Sequence, residues 1–252
     1  GIKHLLVAVN KMDIGGYREE TFRQIRQTFS DFAEKLAIPD IRFVPVSALK
    51  GTNVTARSPG LTPWYAGPSL LEMLETVDIS QDLNQRDFRF PVQVVIRPHL
   101  NFRGFAGSVV SGTVKPGERI RVLPSNKTST VKRIVTADGD LAEAFAPQAV
   151  TLELSDEVDI SNGDMIVHDN NLPRVQDRFE AVVIWMSETP LKAGAHYLVR
   201  HAGRFVKARV DTLLYAVDVN TMEQRAAEEL PLNGIGRIVV ETTQPLYLDP
   251  YS

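Results

Sequence analysis

The sequence predicts a multidomain protein in which an α/β unit is followed by two all-β barrels, the second of them incomplete. Its 252 residues, 43% hydrophobic and 23% charged, are typical of a folded chain with one large domain or two to three small ones. Up to residue 80, apolar side chains alternate between strand-like and helix-like spacing, which indicates an α/β unit. From residue 87 onward only short β-branched runs follow, separated by Gly and Pro, as in barrels.

Two strands and two helices are predicted in residues 1–80. Lys3–Val9 is a continuous apolar run of the kind buried in a parallel sheet. Apolar residues at helical spacing predict an amphipathic helix that covers this strand: Phe22, Ile25, Phe29, Phe32 and Leu36. Ile41–Val46 is the second strand, and a second helix starts after Pro68. A linker is expected at residues 81–86.

The first barrel is predicted over residues 87–170 and the second over residues 175–252, with Asp169–Gln176 as the connection. The strands predicted for the first barrel are Phe90–Arg97, Gly107–Val114, Glu118–Leu123, Ser129–Val135, Ala149–Leu154 and Met165–His168. Those predicted for the second are Arg178–Trp185, Ala195–His201, Arg204–Tyr215 and Gly236–Glu241. An open barrel leaves unpaired edges, so we expect the last strands to be missing and the chain to be an internal fragment.

Composition excludes several classes of protein. The chain has no cysteine, so a disulfide framework, a thiolate metal site and a cysteine nucleophile are ruled out. No apolar run reaches the roughly 18 residues of a membrane helix, so we expect the chain not to span a membrane and to have no membrane partner. The absence of cysteine is compatible with a reducing cytosol, and we expect a cytoplasmic location. The net charge of −3 gives no global attraction for nucleic acid, and we expect no nucleic-acid partner.

A guanine-binding motif is predicted at Asn10-Lys11-Met12-Asp13, directly after the first strand. The Asp13 carboxylate can accept two hydrogen bonds from the ring N–H and the amine of guanine, a pair that adenine does not offer. The Asn10 amide can bridge neighbouring loops, and the stem of Lys11 can lie across the purine. A solvated turn is the alternative interpretation.

A second motif, Ser47-Ala48-Leu49, follows the second strand and strengthens the guanine assignment. The backbone N–H of Ala48 is predicted to donate to the carbonyl oxygen of guanine. The sequence contains no G-x-x-x-x-G-K-[ST], so we expect the residues for the phosphates and for Mg²⁺ to precede Gly1, and we assign no catalytic residue in this fragment.

Longer stretches carry a resemblance to one family over essentially the whole chain. They are Arg57-Ser58, Pro63-Trp64-Tyr65, Gly67-Pro68, Leu70–Glu75, Phe88–Gln93, Arg97-Pro98, Phe102–Gly107, Ser111-Gly112, Val131–Val135, Asp138–Leu141, Ala149–Leu152 and Asp159–Met165. With the two guanine motifs, they resemble the GTPase subunits of bacterial sulfate adenylyltransferase, which are elongation-factor-Tu-like GTPases. The resemblance implies the C-terminal part of a P-loop GTPase domain followed by two translation-factor-like barrels.

The resemblance also implies a function. It implies GTP and Mg²⁺ as cofactors, and a hetero-oligomer with the catalytic subunit of ATP sulfurylase that couples GTP hydrolysis to formation of adenosine 5′-phosphosulfate from ATP and sulfate. A fused or associated adenylylsulfate kinase is left open. The alternatives are a translation elongation-factor-type GTPase that binds tRNA and a nucleotide-free interaction module.

Four further residues are candidate partner contacts: Trp64, Tyr65, Arg103 and Arg204. Trp64 and Tyr65 lie in a Pro- and Gly-rich loop, and packing against the second helix is the alternative. Arg103 is predicted in a turn, Phe102-Arg103-Gly104-Phe105, whose aromatic rings could instead plug the barrel. Arg204 belongs to a basic run that could be an ordinary solvated face. The five histidines show no metal-ligand spacing, and we expect no metal site.

Overall fold

A computed structural model describes residues 3–36, 38–78, 84–99 and 102–250. They form two compact units, residues 3–78 and residues 84–250. The first is an α/β unit and the second contains two β-structures, so the predicted fold class is confirmed. Residues 81–83 of the predicted linker lie outside the described residues. Across the described ranges, no helix is long and apolar enough to cross a membrane.

The first unit has a two-stranded parallel sheet with helices beside it. Its elements are β1 His4–Val9, α1 Glu19–Ala33, a 3-10 turn Glu34–Leu36, β2 Asp40–Pro45 and α2 Leu70–Thr76. The helix α1 covers the sheet only in part: Phe22 is buried, whereas Ile25 is 43% exposed. The two described strands are about 5 Å apart, whereas a helix with its side chains is about 10 Å wide. Part of the apolar face of α1 therefore extends beyond the two strands and is not covered by them.

The helix α2 starts where the sequence predicts, one residue after an N-cap. Pro68 precedes the N-cap residue Ser69, whose hydroxyl accepts a hydrogen bond from the N–H of Glu72 at 3.3 Å. The Glu72 carboxylate accepts in return from the N–H of Ser69 at 2.8 Å. These two bonds form a capping box, and the hydrogen bonds that the Glu72 carboxylate accepts from the N–H and the hydroxyl of Ser69 hold its pKa below its usual value.

The first β-structure of the second unit is a closed barrel. Its strands are β3 Arg89–His99, β4 Phe102–Ser108, β5 Thr113–Val114, β6 Arg119–Leu123, β7 Thr128–Thr136, β8 Gly139–Leu141, β9 Ala144–Phe145, β10 Ala149–Leu154 and β11 Met165–His168. Six of them pair in the order β10, β4, β3, β11, β6, β7, and β7 pairs with β10 to close the ring. Phe88, Phe90 and Phe105 are fully buried in its core.

Two predictions for this barrel are wrong. Phe102-Arg103-Gly104-Phe105 is not a turn but the first part of β4, and Phe105 points into the core. Gly107–Val114 is not one strand, because β4 ends at Ser108 and β5 begins at Thr113. The break includes Gly112, whose φ of +73° favours glycine. Its Cα also lies so close to the backbone of Phe88 that any side chain at position 112 would collide with it.

The second β-structure is a four-stranded antiparallel sheet with short additional strands. The strands are β12 Arg174–Ile184, β13 Leu191–Lys192, β14 His196–His201, β15 Arg204–Val217, β16 Gln224–Arg225, β17 Glu229–Leu230 and β18 Ile235–Leu248. The sheet order is β12, β18, β15, β14, and within the described ranges β12 and β14 do not pair. Asp169–Gln176 is not entirely a linker, because its residues from Arg174 onward belong to β12 and pair with the end of β18.

The two β-structures meet at the buried side chain of Arg89, which is 5% exposed. Its guanidinium donates to both carboxylate oxygens of Asp249 at 2.8 Å and to the backbone oxygen of Asn171 at 2.9 Å. The Asn171 amide donates to Asp87 at 2.7 Å, and hydrogen bonds from Asn84 and Asn171 lower the pKa of the Asp87 carboxyl. Arg89 therefore joins three separate chain segments.

Candidate guanine-binding site

The two predicted guanine motifs lie at the same end of the parallel sheet. The register places Val9 opposite Pro45, so β1 and β2 end side by side. The N–H of Val46 donates to the carbonyl of Val9 at 2.9 Å, and the N–H of Met12 donates to the carbonyl of Val46 at 3.1 Å. The chain after each strand is therefore bonded to the chain after the other.

Asn10 joins the two motifs directly. Its side-chain oxygen accepts hydrogen bonds from the N–H of Ala48 at 3.0 Å and from the N–H of Lys11 at 2.7 Å. The second bond fixes Lys11 at a φ of 63°, in the left-handed region. The N–H of Ala48, which the sequence assigns to the carbonyl of guanine, thus already has Asn10 as an acceptor. The carbonyl of guanine, as a second acceptor, would have to share this N–H with Asn10.

Asp13 presents a carboxylate that the protein itself does not use. Among the described residues it has no hydrogen-bond or ion-pair partner, and it is partly exposed. Its backbone is held in a turn, in which its carbonyl accepts from the N–H of Gly16 at 3.2 Å. The side chain is therefore positioned by the loop and free to accept from a ligand.

Exposed apolar side chains occur in both loops that carry the guanine motifs. Leu49 is 85% exposed and Ile14 is 79% exposed, and the side chain of Lys11 is also exposed. Exposed large aliphatic residues on the two joined loops, one of which carries an unpaired carboxylate, suit a ligand with a flat apolar face and a polar edge. Ile14 is an addition to the residues that the sequence motifs identify.

A buried polar scaffold supports the second motif. Ser47 is fully buried and is paired through its backbone with Thr52, and its hydroxyl accepts from the N–H of Lys50 at 3.2 Å. Asn53 is also fully buried, and its amide donates to the carbonyl of Pro45 and to Thr62, both at 2.9 Å. Sequence reasoning missed Asn53, because a lone Asn carries no motif. Its φ of 54° is a conformation that Asn tolerates better than most residues.

Trp64 and Tyr65 pack in the first unit. The indole N–H of Trp64 donates to the carbonyl of Tyr17 at 2.9 Å, and the hydroxyl of Tyr65 donates to the carbonyl of Pro68 at 2.8 Å. Tyr65 is only 9% exposed, and burial raises its pKa to about 12. Partner contact by Tyr65 would therefore need the loop to open, whereas Trp64 is half-buried with part of its ring at the surface.

Arg103 and Arg204 both have contacts within the second unit. The Arg103 guanidinium lies 5.5 Å from the centre of the Phe105 ring and pairs with Asp159 at 3.2 Å. Arg204 is half-buried, and its aliphatic stem packs against Gly163 so closely that any side chain at position 163 would collide with it. Neither residue lies in the first unit, which holds the guanine motifs. No cluster of potential metal ligands is found in the described part of the chain.

Known proteins resemble this chain over all or part of its length. Residues 178–252 match a family described as GTP-eEF1A C-terminal domain-like. Sulfate adenylyltransferase subunit 1 of Alteromonas mediterranea is 52% identical over 251 residues, covering 100% of this chain and 53% of that protein. The Bifunctional enzyme CysN/CysC of Rhodopirellula baltica is 51% identical, covering 100% of this chain and 39% of that protein. The chain thus spans about half the length of the curated relatives it matches, or less.

Solved structures share the fold. Sup35 complexed with GMPPNP matches with a TM-score of 0.60 at 24% identity, covering 99% of this chain and 63% of that one. The Ski7 GTPase-like domain of S. cerevisiae, bound to GTP, matches with a TM-score of 0.53 at 17% identity, covering 100% of this chain and 60% of that one. These two likenesses show the fold alone.

Proposed function

Since this chain belongs to the family of sulfate adenylyltransferase subunit 1, we propose that it is the guanine-reading and barrel part of a GTP-binding subunit of that enzyme. The subunit couples GTP hydrolysis to formation of adenosine 5′-phosphosulfate from ATP and sulfate. Formation of a mixed anhydride of phosphate and sulfate is unfavourable, so GTP must bias a conformational equilibrium that the synthetic step shares.

The observation that carries this proposal is the hydrogen bond from Ala48 to Asn10 beside the unpaired carboxylate of Asp13. It joins the loop that carries an acceptor for the ring N–H and amine of guanine to the loop that carries a backbone donor for its carbonyl. The Ala48 N–H would be shared between Asn10 and the base. Lys11 and Leu49 would cover the two faces of the ring, and Ser47 holds the loop from within.

We assign to GTP the role of the nucleotide and to Mg²⁺ the role of its metal ion. This sequence contains no G-x-x-x-x-G-K-[ST], so we place the groups that hold the phosphates and Mg²⁺ in a part of the protein outside these 252 residues. The share of the relatives' length that this chain covers leaves room for such a part. Only the recognition of the base is assigned to residues of this chain.

The proposed partner is the catalytic subunit of sulfate adenylyltransferase, and the proposed location is the cytoplasm. The name of the Alteromonas relative specifies subunit 1, which supports a second subunit. The bifunctional relative supports the idea that an adenylylsulfate kinase can be fused to such a chain. The proposal includes no nucleic-acid and no membrane partner.

Co-expression of the full-length protein with a catalytic subunit tests the proposed function. We expect the two to copurify and adenosine 5′-phosphosulfate synthesis to rise when GTP is added, but not when ATP alone is supplied. A filter-binding assay with tRNA runs in parallel. Retention of tRNA without any effect of GTP on sulfate activation would favour the translation-factor alternative and contradict the proposal.

A further inference from the structure

A groove with an aromatic floor lies in the first unit, apart from the guanine motifs. It is bounded by α1, β2 and residues 64–68, and its volume is about 470 Å³. That volume lies within the range of sites that bind small molecules or anchor side chains, about 300–1,000 Å³. The floor is formed by the rings of Phe22, Phe43 and Trp64.

The floor is held in place by contacts within the unit. The rings of Phe22 and Trp64 have their centres 5.2 Å apart, and the indole N–H is bonded to Tyr17. Gly67 lies against the ring of Tyr65, and any side chain there would collide with it. The shape of the groove therefore does not depend on an occupant.

Three guanidinium groups line the groove, and one of them lacks a carboxylate. Arg23 pairs with Glu19 at 2.6 Å and Arg42 with Asp40 at 2.9 Å. Arg26 lies 5.6 Å from the centre of the Phe43 ring, and no acidic side chain of the described residues pairs with it. The groove thus offers one unneutralised cation beside an apolar floor, which is complementary to an anion attached to an apolar group.

We propose that this groove is the docking site for an acidic segment of the catalytic partner subunit, with one apolar side chain inserted over the aromatic floor and a carboxylate paired with Arg26. The proposal rests on the proposed function. Aromatic residues and Arg are the residue types enriched at the centres of protein interfaces, and a small pocket with a fixed aromatic floor is typical of an anchor site. The site lies on the GTPase part of the chain, so it links the partner to the unit that reads the nucleotide.

The charge is tested with two variants of the full-length protein that change net charge equally. Arg26→Gln removes the unpaired cation, and Gln24→Glu on the same helix adds a negative charge outside the groove. We expect Arg26→Gln to weaken binding of the catalytic subunit at least about tenfold, because a charge-assisted hydrogen bond is lost. We expect Gln24→Glu to have less than about a threefold effect. Calorimetry at two salt concentrations measures both, and GTP affinity should not change.

The apolar part is tested with Ala66→Trp, at an exposed position that lines the groove. The added ring fills the space without displacing a buried group, so melting temperature and GTP affinity should stay at wild-type values while partner binding falls. Partner binding at wild-type strength in both Arg26→Gln and Ala66→Trp would refute the groove as the docking site but leave the proposed function intact. Wild-type protein that binds no catalytic subunit would overturn both. Altered self-association of the variants in sedimentation, without a change in partner binding, would show instead that a second copy occupies the groove.

Discussion

Replacing Asp13 by Asn changes the charge and the hydrogen-bonding character of one side chain while keeping its size and shape. The carboxylate can accept from both the ring N–H and the amine of guanine, whereas the amide accepts with one group and donates with the other. Xanthine carries a carbonyl where guanine carries the amine. We therefore expect Asp13→Asn in the full-length protein to lose GTP affinity and to gain affinity for xanthosine triphosphate.

The structure sets the size of this effect. The Asp13 carboxylate has no partner in the described residues, so the whole cost falls on ligand binding and none on folding. Two hydrogen bonds to a charged group contribute about 1.5–3 kcal/mol each. Their sum, about 3–6 kcal/mol or about 10² to 10⁴ in affinity, is the upper limit of the loss, because the Asn carbonyl can still accept from the ring N–H. Because the carboxylate is partly exposed, we expect a value in the lower half of this range.

Competition between the two nucleotides against a fluorescent GTP analogue measures the switch. Asp138→Asn, the same change in an exposed turn of the first barrel, is the matched control and should leave both affinities unchanged. Equal melting temperatures of the two variants would confirm that folding is not involved. Wild-type affinity for GTP in Asp13→Asn, with no gain for the xanthine nucleotide, would refute the assignment of Asp13 as the group that reads the base.

Three predictions concern stability, measured by urea unfolding monitored by tryptophan fluorescence and circular dichroism. Asn53→Ala leaves the carbonyl of Pro45 without its buried donor and should lower the free energy of unfolding by about 2–3 kcal/mol; no change would contradict a supporting role. Arg89→Met removes the donor to Asp249, whose carboxylate is 36% exposed and can be hydrated, and should cost about 2 kcal/mol in the transition of the second unit, with the first unit unaffected. Ser69→Ala removes the N-cap and should cost about 1 kcal/mol, and Ser69→Asp should not restore it, because its buried carboxylate would face the carboxylate of Glu72.

Local patterns predicted much of the fold. Ala149–Leu154 and Met165–His168 are strands over the predicted residues, because each is a short apolar run between turns. Gly104 misled the prediction of a turn. This position of β4 requires glycine, because any side chain there would collide with Thr151 on the neighbouring strand. The constraint arises only once the barrel closes.

The candidate site was predictable where a motif carries the chemistry and not where support comes from packing. Asn10 and Ala48 meet as the spacing of the two motifs suggests. The sharing of the Ala48 N–H and the buried amide of Asn53 depend on loop geometry, which no residue pattern specifies. The roles of Trp64 and Tyr65 likewise depend on which part of each ring faces outward.

The contact between Arg89 and Asp249 spans 160 positions of the chain, and this separation orders events during synthesis. Arg89 emerges from the ribosome long before its carboxylate partner, since residues are added at about 5–20 per second. The first barrel, whose ring closes within residues 89–168, can form while the guanidinium is still hydrated. The connection to the second sheet therefore forms only after residue 249 has left the ribosome, and a ribosome that stalls before that residue would leave a folded barrel in which Arg89 has no carboxylate partner.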